Sequence, residues 1–253
     1  MKLLAAVLAA VAVTVGALPA AAPARAAADY TIVRSYPHKT AAWTEGLYFW
    51  RGRFYESTGL YGRSSIRLVD LETGTVLKKR MLPDAVFGEG MAIAEGRLFV
   101  ITWKEGRALV YDPYTFARIG RYNYAGQGSG LTYNGTHLVM SNLTSTIRFR
   151  NPDNFQTVRS ITVRENGNPV DQINALEWVN GKIYANIWLV PDILIIDPAN
   201  GNVLRRLDFS ALQASEDAMG NAHDMNGIGY WQRQDRLFVT GKFWQRVYEI
   251  EVN

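Results

Sequence analysis

Five polar residues recur at one place in a repeated pattern, and their side chains could bind a small molecule and move a proton on it. They open the strings Glu45-Gly46-Leu47, Glu89-Gly90-Met91, Ser129-Gly130-Leu131, Asn174-Ala175-Leu176 and Asn226-Gly227-Ile228. Two are carboxylic acids, able to act as general acid or base, and two are amides that can orient a ligand or stabilise developing charge. A second recurring set follows where the next apolar stretch ends: Trp103-Lys104, Trp188 and Lys242-Phe243-Trp244. Trp43 lies in the approach to the first string. Carboxylates, amides, ammonium groups and a tryptophan wall suit a small polar ligand with an apolar stem.

The elements that must bring these residues together are short strands in five copies. After each opening string comes a turn (Arg51-Gly52-Arg53, Glu95-Gly96-Arg97, Asn134-Gly135-Thr136, Asn180-Gly181-Lys182 or Gln234-Asp235-Arg236) and a second strand. A third strand ends near Asp70, Asp112-Pro113, Asn151-Pro152, Asp197-Pro198 and Val252. Fourth strands read over 75–81, 117–124, 157–164 and 202–209. The openings at 45, 89, 129, 174 and 226 lie 44, 40, 45 and 52 residues apart. Four short strands per unit at such a period mark a β-propeller. Asn134-Gly135 and Asn180-Gly181 are hairpin turns that need positive φ. The fifth copy lacks a fourth strand. Residues 31–36, Thr-Ile-Val-Arg-Ser-Tyr, are predicted to supply it, tying the termini together and leaving no open sheet edge. The fold class is therefore all-β, a five-bladed β-propeller with the N-terminal strand closing the C-terminal blade. One short helix is expected over 209–219. In a propeller the first strand of each blade lines the central channel, so the five opening residues should face one another at one mouth.

Composition narrows the chemistry. There is no cysteine, so thiol catalysis and disulfides are excluded. His38, His137 and His223 are the only histidines and lack metal-ligand spacing. Gly-x-Ser-x-Gly is absent, and the glycine-rich Gly126-Gln127-Gly128-Ser129-Gly130 leads into no helix. The formal charge is +4, of which Lys2 and Arg25 supply two, too small to argue for nucleic acid. Lys78-Lys79-Arg80 is the densest basic run and reads as a solvated strand end. Asn134 and Asn142 open Asn-x-Thr sequons that matter only in a glycosylating host. Met1-Lys2, an Ala/Val/Leu-rich run and Ala24-Arg25-Ala26 read as a signal peptide over 1–26. Residues 27–253 then form a single propeller domain, secreted or periplasmic, monomeric and without membrane contact once the leader is cleaved.

Several strings together resemble one family, the glutamine cyclotransferases of plants and bacteria. They are Thr44-Glu45-Gly46-Leu47, the run from Tyr55 to Ser65, Phe87-Gly88-Glu89-Gly90, Thr102-Trp103-Lys104, Leu176-Glu177-Trp178-Val179, Tyr184-Ala185-Asn186-Ile187-Trp188 and Val239-Thr240-Gly241-Lys242. The resemblance implies an enzyme that closes an N-terminal glutamine into pyroglutamate with loss of ammonia. It implies that Glu89 is the catalytic acid/base and places Trp43, Glu45, Trp103, Asn174, Trp188 and Lys242 around the substrate. Lys242 and Asn174 are then the oxyanion candidates, and Glu45 and Glu177 the candidates to orient the amine or those donors; Trp244, from its place at the end of the fifth second strand, is a further candidate wall. No cofactor is required, although family members can carry a structural metal ion in the channel. The third blade of relatives usually opens Gly-Glu-Gly-Trp-Gly-Leu, where this chain has Ser129, so one side of the pocket is expected to be open or filled by Tyr124 or Tyr133. A glutamate is also more usual than Ala175. Two other readings stay compatible with the residues alone: a propeller that captures peptide or sugar ends without catalysis, and a metal-dependent hydrolase or lactonase.

Overall fold

Alternation of apolar and polar residues over stretches of five to seven, broken by glycine turns, folds here into five antiparallel sheets of four strands each. The computed structural model describes residues 29–220 and 222–253, so the leader expected over 1–26 lies outside the described residues. Blade 1 runs outward through Thr44–Trp50, Arg53–Thr58, Ser65–Val69 and Val76–Met81. Blade 2 follows with Gly88–Ala94, Arg97–Thr102, Arg107–Tyr111 and Arg118–Asn123. Blade 3 is Leu131–Tyr133, Leu138–Met140, Thr146–Arg150 and Thr157–Thr162. Blade 4 is Ile173–Val179, Lys182–Ile187, Val190–Ile196 and Val203–Asp208. Blade 5 has Met225–Trp231, Arg236–Gly241 and Arg246–Val252, and its outer strand is Tyr30–Pro37 from the other end of the chain.

That closing strand pairs antiparallel with the last one, Tyr30 against Val252 through Pro37 against Arg246. A buried charged cluster reinforces it. The Tyr36 hydroxyl donates to Glu249 Oε2 at 2.7 Å, and Arg236 donates to both Glu249 oxygens at 2.7 Å. The helix forms at Ser210–Ala218, and a two-stranded ribbon not foreseen in the sequence, Arg164–Glu165 with Asn168–Pro169, lies between blades 3 and 4.

Burial falls outward along each blade. Gly88–Ala94 is wholly buried, while Arg118–Asn123 is almost wholly exposed. Apolar side chains of adjacent blades meet in shared clusters, such as Tyr55, Ile66, Met91, Ile93 and Leu98 between blades 1 and 2. The tight turns at Arg51-Gly52, Glu95-Gly96 and Asn180-Gly181 have both central residues at positive φ, the hairpin geometry that matches strand twist. Near the axis the blades approach backbone to backbone. A Cβ on Gly90 would come 2.3 Å from the Leu131 nitrogen, and one on Gly130 would come 2.2 Å from the Asn174 oxygen. Only glycine fits there, which is why it follows the ring residue in those blades.

Candidate active site

The inner strands of blades 1, 2, 4 and 5 each carry one extra residue where they open. Register slips between Thr44 and Gly46, Gly88 and Met91, Ile173 and Leu176, and Met225 and Ile228. Such bulges re-aim a side chain out of the pleat. Here the residues in the slips include Glu45, Glu89, Asn174 and Asn226. The ring is held by a bond at every blade boundary. Ser57 Oγ donates to the Glu89 oxygen at 2.7 Å, and Gly90 N to the Ser129 oxygen at 2.7 Å. Ser141 Oγ donates to the Asn174 oxygen at 2.6 Å, Gly227 N to Asn186 Oδ1 at 3.2 Å, and Asn226 Nδ2 to the Thr44 oxygen at 2.9 Å.

A second repeated bond sets the walls. The residue that ends the second strand donates its N–H to the carbonyl two positions before the ring residue. The pairs are Gly59 to Trp43 at 2.8 Å, Trp103 to Phe87 at 3.0 Å, Trp188 to Gln172 at 2.9 Å and Lys242 to Asp224 at 3.1 Å. Just beyond, Leu60, Leu143, Leu189 and Phe243 sit at φ between 60° and 83°, costly conformations for branched or bulky residues and typical of functional loops.

These devices bring Trp43, Glu45, Glu89, Trp103, Asn174, Trp188 and Lys242 around one cavity of about 150 Å³, with Phe87 and Leu143 completing its lining. Phe87 meets the Trp103 ring edge to face at 5.6 Å. Lys242 Nζ lies 5.1 Å from the Trp43 ring centre, and Lys104 Nζ stacks 3.8 Å from that of Trp103.

The charges inside are few and buried. Lys242 Nζ donates to Asp224 Oδ2 at 3.1 Å and stands 3.6 Å from Glu45 Oε1. Asn226 Nδ2 donates to Glu45 Oε2 at 2.8 Å. Asp224 Oδ1 in turn bonds His223 Nδ1 at 2.9 Å. Burial pushes the Glu45 carboxyl up to about 7, with Lys242 pulling it down and Asp224 pushing it up. The Trp43 indole N–H also draws it down, although no partner of that N–H meets hydrogen-bond geometry. Glu89 is also raised, first by burial and then by the neighbouring Glu45 carboxyl, against the pull of Lys242. Both carboxyls are therefore raised together, a buried pair that favours holding a proton between them beside the Lys242 ammonium. Burial alone would lower the Lys242 ammonium, but Glu45, Asp224 and Glu89 outweigh it and keep it charged.

Two residues expected at this mouth lie elsewhere. Glu177 is three positions along the inner strand from Asn174, about 10 Å down the channel at the usual rise. There it accepts from Thr132 Oγ1 at 3.2 Å and Trp178 N at 3.0 Å. It lines a separate cavity of about 490 Å³ at the opposite mouth with Tyr48, Tyr133, Trp178 and Trp231. Trp244 is fully buried between helix and blade 5; its indole donates to the His223 oxygen at 2.8 Å. The left-handed turn at Phe243 sends it away from the cavity. Ser129 is buried too, its hydroxyl shared with Ser141 Oγ at 2.9 Å and the Ile173 oxygen at 3.2 Å. The side of the pocket expected to be open or aromatic is filled by Leu143, since Tyr124 donates to the Thr102 oxygen and Tyr133 sits at the far mouth.

Phe87, Leu143 and Asp224 were not anticipated. A signal for two of them exists: Phe87 and Asp224 stand two residues before Glu89 and Asn226, as Trp43 stands two before Glu45. No three metal-ligating side chains converge among the described residues, and the Lys242 ammonium already occupies the space between Glu45 and Asp224. These side chains therefore do not fit a bound cation.

A family model described as glutamine cyclotransferase matches residues 3–252. The chain belongs to the glutamine cyclotransferase family. A glutaminyl-peptide cyclotransferase of Arabidopsis thaliana is 34% identical over 227 residues, which cover 87% of this chain and 70% of the plant protein. Among solved structures, the glutaminyl cyclase of Myxococcus xanthus is 38% identical, covers 88% of this chain and 95% of that one, and superposes with a TM-score of 0.82. The WD40 β-propeller domain of Doa1, at 9% identity and a TM-score of 0.50, shares the fold alone. Of the family-like strings, those holding Glu45, Phe87 to Glu89, Trp103, Trp188 and Lys242 all end at the same cavity.

Proposed function

We propose that this protein is a glutaminyl-peptide cyclotransferase: the α-amine of an N-terminal glutamine attacks its own γ-amide carbon, ammonia leaves, and a five-membered lactam remains. The observation that carries this reading is a buried carboxyl, Glu89, that no N–H among the described residues engages, in a cavity walled by Trp43, Trp103 and Trp188 beside one ammonium group. The reaction needs little nucleophile activation, because an α-amine has a pKa of about 7.7–8.0 and is partly neutral at mild pH. It needs the side chain folded back on the amine, an entropic problem that a small walled cavity solves.

It also needs a proton carried from the attacking nitrogen to the leaving one. Glu89, protonated on arrival, gives its proton to the departing amide nitrogen and takes one from the ring nitrogen, ending as it began. Lys242 and the Asn174 amide, which makes no side-chain hydrogen bond among the described residues, stabilise the oxyanion. Ionised Glu45 faces the amine and keeps the Glu89 proton in place. A lactonase reading lacks the converging ligands it requires. We further infer export by the leader to the periplasm or the medium, and action as a monomer. Ammonia release from a glutamine-initiated peptide is the direct test. Glu89→Gln should lower kcat by about 10²–10⁴-fold, with the circular dichroism of wild type. Near-normal turnover in that variant would remove Glu89 from the role.

A further inference from the structure

Beside the reaction cavity, on the other side of Trp43, lies a crevice of about 160 Å³ lined by Trp43, Gly59, Arg63, Arg67, Lys79 and Met81, among others. Gly59 separates the two spaces: a Cβ there would come 2.2 Å from the Phe87 ring and 2.9 Å from Trp43 Cδ1. The crevice therefore opens next to the indole that walls the reaction cavity.

Its charge is unbalanced. Arg67 and Lys79 are direct cross-strand partners, and Glu56 partners Arg67 on the other side. Like charges directly opposite one another destabilise a sheet unless something lies between them. Glu56 does not neutralise the row, because it is already shared: it receives His38 Nε2 at 2.8 Å, Thr44 Oγ1 at 2.8 Å and Arg67 Nη1 at 3.3 Å. Burial lowers the His38 imidazole, but Glu56 outweighs burial and raises it. Arg67 is buried, with Nε donating to Ser65 Oγ at 3.0 Å, so its position is fixed. Arg63 and Lys79 make no ion pair among the described residues, and burial together with Arg67 and Arg63 lowers the Lys79 ammonium.

We propose that this crevice is an anion subsite for a carboxylate carried by the substrate downstream of its N-terminal glutamine. Arg67 is its fixed floor, and Arg63 and Lys79 close over the ligand. A peptide whose first residue fills the reaction cavity leaves past Trp43, which brings an acidic side chain of one of its next residues, or the terminal carboxylate of a very short peptide, to the three cations. The inference rests on the cyclotransferase reading above.

The test compares C-terminally amidated peptides, one with glutamate and one with alanine after the glutamine, and the alanine peptide with a free C-terminus. Wild type should show a KM roughly two- to fivefold lower for the glutamate peptide, a gap that closes with added salt. In Arg63→Gln/Lys79→Gln the ratio of the two KM values should fall to about one. A lower KM for the free C-terminus alone assigns the subsite to the terminal carboxylate. Equal KM values for all three peptides, or a preference that survives the double substitution, would overturn the subsite while leaving the activity standing. Absence of ammonia release from every peptide would overturn both.

Discussion

Glu45→Gln isolates the link between the two buried carboxyls. The amide is nearly isosteric and can still accept from Asn226 Nδ2, now 2.8 Å from Glu45 Oε2. What disappears is one negative charge. Glu89 then keeps burial and the Glu105 charge pushing its carboxyl up, but loses both the Coulombic and the hydrogen-bond contribution of Glu45. Lys242, 3.6 Å from the lost oxygen, is freed to act more fully on Glu89, in the same direction. A neighbouring charge in such a site moves a carboxyl by about one to three pH units, each worth about 1.4 kcal/mol. The protonated form of Glu89 should therefore be lost at lower pH, and the alkaline limb of kcat/KM should move down by at least about one unit. The limb set by the substrate α-amine, near 8, should stay in place. Initial rates of ammonia release from one amidated peptide, followed from acid to alkaline pH in both proteins, measure this directly. An alkaline limb that stays put, or moves up, would refute the idea that Glu45 keeps the proton on Glu89.

Three further outcomes follow from the same geometry. Asn174→Ala should lower kcat by about 10²–10³-fold with little change in the denaturation midpoint, because the side-chain amide contributes no bond to the fold; a loss confined to KM would remove it from the oxyanion role. Trp244→Ala should cost about 3–5 kcal/mol of stability in chemical denaturation, whereas Trp188→Ala should chiefly raise KM, since only the latter lines the cavity. His38, fully buried, has its imidazole raised because Glu56 outweighs burial. Its ionic contribution to stability is therefore complete below the unfolded value of about 6.5 and fades as pH rises through the higher folded value. The stability gap between wild type and His38→Asn should narrow over that alkaline approach, and a gap that widens instead would reverse the assignment.

The ring was legible because the repeat itself is a coordinate system. Once Glu45, Glu89, Ser129, Asn174 and Asn226 share one repeat position, closure of the propeller must bring them to one axis, whatever their chemistry. Residues off that coordinate were not legible in the same way. Glu177 was drawn in by a family-like string, but three residues along an inner strand carry it to the other mouth, where Thr132 and Trp178 hold it. Trp244 was drawn in by adjacency to Lys242, but one left-handed residue reverses the chain between them. Phe87 and Asp224 escaped because Trp43, Phe87 and Asp224 share a position and no chemistry, so residue type concealed the recurrence.

The basic crevice illustrates a different limit. Lys79 sits in a run that reads as a solvated strand end, and Arg67 lies twelve positions away in another strand. Only antiparallel pairing sets them opposite each other, and only the shared use of Glu56 by His38 and Arg67 leaves their charge uncompensated. Pairwise composition thus predicts neutrality where the folded row carries an excess of positive charge. The same reasoning explains why Lys242 stays charged in the neighbouring cavity, where Glu45 and Asp224 are both committed to it. One cavity has spent its cation on its own carboxylates and presents a proton; the other retains unpaired cations and presents a charge. A glutamine end suits the first and an acidic residue the second, and the single indole of Trp43 sets how far apart a substrate must hold them.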